Sequence, residues 1–229
     1  MGPRSLKVVL TREAGRNESL EAWLPDGASC TEVPLTRTSY YDHQLVSDAL
    51  ASSGARTPFQ SLVVTSERSR SYAPLAMGFA APDVDVFSVG PATSAALELE
   101  GVHVHHEGDG GSLTLARHIV RDPVVVLGAK EMRTDLVDTL RERELDVSIV
   151  HCYETMALTP TSAEQALLLD ADVVFIGAPS AWAVARTYVD ERAWIVVPGA
   201  TTGAVVASEH ERVIEGWGPH LRERLANVG

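Results

Sequence analysis

Short, nearly unbroken apolar runs recur along this chain: KVVL at 7–10, SLVV at 61–64, DVFSV at 85–89, VVVLG at 124–128, DVVFIG at 172–177 and WIVV at 194–197. Runs of this length, ending on Gly, Pro, Thr or Ser, fit β-strands buried on both faces. Weaker strands are expected around CTEVPL (30–35), GVHVH (101–105) and DVSIVHC (146–152). Between them lie stretches of helical period. Residues 13–27 read as a helix with Leu20, Trp23 and Leu24 inward and a stop at Pro25 and Gly27. Residues 43–54 present Leu45, Val46, Ala49 and Leu50 on one side. Residues 72–80 read as a helix that carries Pro74 in its first turn. Further helices are predicted for Thr93 to Leu99, stopped by Gly101, for 112–120 before Asp122 and Pro123, and around Leu221 and Leu225. Alternation of strands and helices through short loops predicts an α/β chain with parallel sheets covered on both faces.

Two of the runs end alike. VFSVGPATSAAL (86–97) and WIVVPGATTGAVV (194–206) each pass from an apolar strand through a Gly- and Pro-containing turn into a small-residue helix bearing Thr. The likeness extends on either side. VVVLGAKEMRTDLVDTL parallels VVLTREAGRNESLEAWL, and the segment around DVVFIGAPSAW parallels the one around LVVTSERSR. This internal repeat predicts two similar lobes. Two divisions satisfy it: a cut near Pro123, or a first strand–helix unit that returns to the last half and leaves the middle as an inserted lobe.

A chain of 229 residues with 45% apolar positions can bury one large core or two small ones. The start, MGPRSLKVVLTR, lacks the long apolar segment of a signal peptide, and no stretch reaches the eighteen or so apolar residues that span a bilayer. A soluble cytoplasmic protein without a membrane partner is the expectation. The net charge of −12 argues against nucleic acid as a partner, since dense Lys and Arg would be needed there. An anionic small molecule stays open, because a few cations within a cleft can outweigh an acidic exterior. Cys30 and Cys152 have no metal-ligand spacing and are expected as buried thiols.

No GxSxG elbow, GxxxxGK[ST] loop or GxGxxG fingerprint occurs. EGDGGS (107–112) opens no dinucleotide helix, so no nucleotide cofactor is expected. His103 and His105 would share one face of a strand, with His106 on the other. A solvent-facing strand end explains them more simply than a metal site.

The set that points to a ligand is the polar groups at strand ends, where open α/β sheets bind small molecules. It comprises Thr11, Arg12, Thr65, Ser66, Thr93, Lys130, Arg133, Thr201 and Thr202, with Arg16 as a further cation for carboxylates or phosphates. Each hydroxyl could instead cap a helix. Tyr153 ends the run SIVHC and offers a neutral phenol that can donate one hydrogen bond or anchor a lobe boundary.

Together these motifs resemble the uroporphyrinogen-III synthase family. The resemblance is carried by VVLTR (8–12), VVTS (63–66), VGPAT (89–93), the spacing of Gly128, Arg133 and Leu136, Tyr153, APSA (178–181) and PGATT (198–202). It implies two α/β lobes joined by a two-stranded connector, one from residues 1–37 and 156–229 and the other, inserted, from 38–155, with the cleft between them. It also implies a cyclising lyase that closes linear hydroxymethylbilane with loss of water and inversion of ring D. That enzyme uses no cofactor and no metal, and works as a monomer that could receive substrate directly from hydroxymethylbilane synthase. Tyr153 matches the tyrosine assigned to loss of the terminal hydroxyl. Thr201 and Thr202 fall in a threonine-bearing ligand loop, and Thr65, Ser66, Gly90 and Thr93 match loops of the other lobe. One departure stands out: relatives commonly carry Ser where this chain has Ala178, leaving Ser180 or a backbone N–H to replace the contact. A non-catalytic tetrapyrrole- or anion-binding sensor of the same fold is the alternative.

Overall fold

A computed structural model describes residues 5–53, 57–109, 112–226 and 228. Gly54, Gly110 and Gly111, and the opening residues of MGPRSLKVVLTR, lie outside the described residues. The strands are β1 (Lys7–Leu10), β2 (Ser29–Glu32), β3 (Thr36–Tyr40), β4 (Phe59–Val64), β5 (Ala80–Ser88), β6 (His106–Glu107), β7 (Val124–Ala129), β8 (Val147–Ala157), β9 (Val173–Phe175), β10 (Trp194–Val197) and β11 (Val213–Glu215). The α-helices are α1 (Glu18–Glu21), α2 (His43–Ser53), α3 (Ala73–Met77), α4 (Pro91–Leu99), α5 (Ser112–His118), α6 (Asp135–Glu142), α7 (Ser162–Leu169), α8 (Pro179–Ala185), α9 (Ala200–Ala207) and α10 (Leu221–Ala226). A 3-10 helix, Glu67–Tyr72, precedes α3.

The chain divides into two compact units, Met1–Thr38 with Met156–Gly229, and Ser39–Thr155. The first holds a sheet in the order β2-β1-β9-β10-β11, parallel throughout. The other sheet runs β3-β8-β7-β4-β5-β6, parallel from β8 to β6. β3 lies against β8 in the opposite sense: Tyr41 N–H donates to Cys152 O at 2.9 Å, and Leu158 N–H donates to Leu35 O at 2.9 Å. The chain therefore leaves and re-enters the first unit along two paired strands. Apart from β3, the sheets share one order, with β8, β7, β4, β5 and β6 standing where β2, β1, β9, β10 and β11 stand. The repeated motifs fall on these counterparts: the two Thr-bearing turns follow β5 and β10.

Parallel strands with helices on both faces bury consecutive residues to opposite sides. In the second unit Leu62, Val64, Val125 and Leu127 pack on one side, and Val63, Val124 and Val126 on the other. In the first unit Val9, Val174, Ile195 and Val197 face one layer, and Val8, Leu10, Val173, Phe175 and Val196 the other. This explains why these strands read as unbroken apolar runs.

Several expectations are corrected by local physics. The helix expected over residues 13–27 is only Glu18–Glu21. Gly15 takes φ 75° and Arg16 N–H turns back to Glu13 O at 3.2 Å, so residues 12–16 form a bend. Leu20 and Leu24 are nevertheless buried. Leu45 is 58% exposed, because α2 buries only Val46 and Leu50. The helix expected over 72–80 stops at Met77, and Ala80 already opens β5. β11 was not expected from the sequence; at three residues it is too short to show a period. Cys30 is exposed on the edge strand β2, whereas Cys152 is buried.

Leu62 is fully buried at the centre of β4. Leu62→Ala is expected to cost about 2–5 kcal/mol, read as a lower midpoint in urea unfolding. Burial pushes the Cys152 thiol up to about 12, and partial burial with Glu21 and Glu32 nearby pushes Cys30 up to about 11. At pH 8 a disulfide reagent should therefore label Cys30 roughly a hundredfold more slowly than a free thiol, and Cys152 only after unfolding. Fast labelling of both would contradict this packing.

Candidate functional site

Parallel strands deliver all their C-terminal ends to one edge of a sheet. In the second unit β4 ends into Thr65 and Ser66, β5 into Val89 and Gly90, and β7 into Lys130, while Tyr153 lies near the equivalent level of β8. A hollow of about 320 Å³ opens at this edge, lined by Thr65, Val89, Ala129, Met132, Arg133, Leu136 and Tyr153. Three of the residues singled out from sequence, Thr65, Arg133 and Tyr153, meet there. Tyr153 is 6% exposed, and its ring lies 6.2 Å from that of Tyr40 and 5.9 Å from the guanidinium carbon of Arg68. Thr65 reaches across β7, its hydroxyl donating to Leu127 O at 3.0 Å. Gly128 permits that crossing: a Cβ there would stand 2.6 Å from Thr65 Oγ1 and 2.9 Å from Met132 Sδ.

Other expected residues stand around the hollow rather than in it. Ser66 caps the 3-10 helix, its hydroxyl accepting from Arg68 N–H at 3.2 Å. Gly90 caps α4 with extended backbone, and its carbonyl accepts from Thr93 N–H at 3.0 Å. Thr93 is 5% exposed on the inner side of that helix. The Lys130 ammonium bonds Glu154 at 2.9 Å, which holds its pKa above the usual lysine value. Arg133 pairs at 2.5 Å with Asp135, the first residue of α6.

In the first unit the expectation for Thr11 is corrected. It is wholly buried, and its hydroxyl donates to Phe175 O at 2.6 Å, tying the end of β1 to β9 instead of facing a ligand. Arg12 lies 5.2 Å from the centroid of the Trp217 ring, and Arg16 lies 3.7 Å from the Glu13 carboxylate. Ala178 caps α8 with no side-chain bond, as a methyl must, and Ser180, the second residue of that helix, is exposed. Gly199 caps α9 as Gly90 caps α4, with φ 175° against 172°. Thr202 then occupies the place of Thr93 and is equally buried at 5%, while Thr201 is exposed.

The histidines are held in separate ways. His103 pairs with Glu98, His105 Nδ1 accepts from Val86 N–H at 3.1 Å, and His106 stacks on Phe87 at 4.7 Å. The strand is only His106–Glu107, so His103 and His105 share no strand face. Among the described residues no group of three or more His, Cys, Asp or Glu is arranged to hold a metal ion. Nor, among them, is any helix long and apolar enough to cross a membrane. Sequence reasoning missed Val89, Ala129 and Met132, whose only signal was apolar character beside a strand end, and Arg68, two residues beyond the polar pair Thr65 and Ser66.

The family model for uroporphyrinogen-III synthase HemD matches residues 21–213. The chain belongs to the uroporphyrinogen-III synthase family. That family comprises cyclising lyases of tetrapyrrole synthesis acting on a tetrapyrrole substrate. Solved structures agree on the fold. A mutant uroporphyrinogen III synthase from the extremely thermophilic bacterium Thermus thermophilus aligns with a TM-score of 0.65 at 15% identity, over 97% of this chain and 96% of that one. A uroporphyrinogen-III synthetase from Helicobacter pylori aligns with a TM-score of 0.61 at 18% identity, over 96% and 98%. Curated protein sequences give no match. The two-lobed fold, with its pair of mostly parallel sheets, is thus the one this synthase family uses.

Gly128→Ala is expected to destabilise the protein by about 1–3 kcal/mol, because Thr65 and Met132 must both give way. A urea midpoint unchanged from wild type would mean that Thr65 does not cross β7 as described.

Proposed function

We propose that this protein, acting as a cytoplasmic monomer, closes linear hydroxymethylbilane to uroporphyrinogen III, with Tyr153 assisting loss of the terminal hydroxyl. The reading is supported by one observation above the rest: the family match spans every residue of the hollow in which the Tyr153 phenol lies.

Departure of the hydroxyl as water leaves an azafulvenium-like electrophile. The substituted carbon of ring D attacks it, and the resulting spiro intermediate fragments and recloses with that ring inverted. The phenol donates its proton to the departing oxygen, a general-acid step. Thr65 and Arg133 belong to the same lining and would bind substrate there. Ser66, Gly90, Thr93 and Lys130 would support them from the surrounding loops; in the first unit, Arg12, Arg16, Ser180, Thr201 and the backbone at Ala178 are the proposed substrate contacts. Thr202, buried like Thr93, would support its helix. The protein's larger task is to hold the linear chain with its reacting ends close and to favour one of two closing geometries. Because the free bilane closes unaided to the uninverted isomer, direct transfer from hydroxymethylbilane synthase belongs to the same proposal.

Freshly generated hydroxymethylbilane, incubated with the protein and resolved into type I and type III products, tests the reading. Type III in excess of the uncatalysed background is expected; type I alone would sink it. Tyr153→Phe should lower kcat about a hundredfold, the lower end of what a general acid contributes, with residual type III product from positioning alone. Full activity in that variant would reassign Tyr153 to structure.

A further inference from the structure

Tyr153 sits at an irregularity in the β7–β8 pairing. Gly128 is level with His151, yet the next residue, Ala129, is level with Tyr153, so β8 carries one extra residue at Cys152. Such a bulge re-aims the side chains beside it. Cys152 keeps its thiol in the core, and the Tyr153 ring lines the strand-end hollow. Arg68 reaches that ring without being among the residues that line the hollow. Its backbone is anchored on both sides: its N–H donates to Ser66 Oγ, and Ser69 beside it is fully buried. Its side chain is half-buried, with the guanidinium carbon 5.9 Å from the Tyr153 ring centroid.

We propose that Arg68 is a positioning residue that acts through Tyr153, holding the ring and favouring the charge that forms on it. The proposal rests on the reading of Tyr153 as proton donor. As the C–O bond of the hydroxymethyl group breaks, the phenolic proton passes to the departing oxygen and water leaves. The pyrrole nitrogen lone pair satisfies the carbon left behind, and the tyrosine is briefly a phenolate. A guanidinium over an aromatic face is attracted by the ring electrons. It is attracted more strongly once that ring bears a full negative charge, so the contact tightens as the proton leaves. An interaction stronger in the transition state than in the bound substrate raises kcat and leaves substrate binding alone. Ser66, expected from sequence as a substrate contact, then serves by fixing the backbone from which Arg68 projects.

Two double-mutant cycles test this. In the first, kcat and KM for type III formation are measured for wild type, Arg68→Met, Tyr153→Phe and the double variant. Arg68→Met should lower kcat about tenfold with KM unchanged, and should have little further effect when Tyr153 is already Phe. Arg68→Lys, which keeps the charge, should recover part of the loss. A raised KM, or an effect that multiplies fully with Tyr153→Phe, would overturn the proposal and place Arg68 on the substrate or in the framework. The second cycle needs no turnover: urea unfolding of wild type, Arg68→Met, Tyr153→Leu and the double variant. A coupling of about threefold in the unfolding equilibrium constant is expected. No coupling would refute the contact even in an inactive protein, whereas coupling in a protein that forms no type III product would count against the synthase reading alone.

Discussion

The polar groups around the hollow are placed by the demand that a parallel sheet be buried on both faces. The apolar residues of β4, β7, β9 and β10 pack alternately into two layers and carry no polar group into them. Thr65, Ser66, Lys130 and Arg133 thereby fall at or beyond the strand ends, where backbone groups run out of strand partners, and the Tyr153 phenol lies level with the end of β7. Thr65 and Thr11 show the rule at its sharpest. Each leaves a strand end, and each spends its hydroxyl on a neighbouring strand's carbonyl, Leu127 O and Phe175 O. Thr65 still lines the hollow, whereas Thr11 is wholly buried.

That rule also explains what could be read from sequence. The apolar runs, their parallel pairing and the two Thr-bearing turns were legible because they depend on composition over several residues. Tyr153 was expected where its strand ends; it lies instead within β8, level with the last residue of β7. What could not be read depends on the direction of a single side chain. Thr201 and Thr202 are adjacent and alike, yet one is exposed and the other buried, because successive residues on α9 point about 100° apart. Leu45 fits the apolar period of α2 and still faces solvent, since Val46 and Leu50 already fill the contact.

Other failures have a different origin. The loop from Arg12 to Arg16 reads as helix by composition, but Gly15 at positive φ and the Glu13 carboxylate hold it as a bend. Glu13 accepts from both Thr38 N–H and Thr38 Oγ1 at 3.0 Å, twenty-five residues away. A long-range bond of this kind leaves no periodic trace. Arg68 was missed for the same reason, because its aromatic neighbour is Tyr153, eighty-five positions along the chain.

The charge pattern constrains how a substrate with eight carboxylates could be held by a chain of net charge −12. The cations near the strand ends are already engaged: Lys130 with Glu154, Arg133 with Asp135, Arg16 with Glu13. Pairs as exposed as the first two are worth little, typically under about 1 kcal/mol, so a ligand carboxylate can replace the protein's own at small cost. The exchange gains equally little. Affinity must then come from backbone donors and fit, and discrimination between two closing geometries from shape. Charge would matter most where it acts close to a reacting group, and the half-buried guanidinium of Arg68 stands 5.9 Å from the Tyr153 ring.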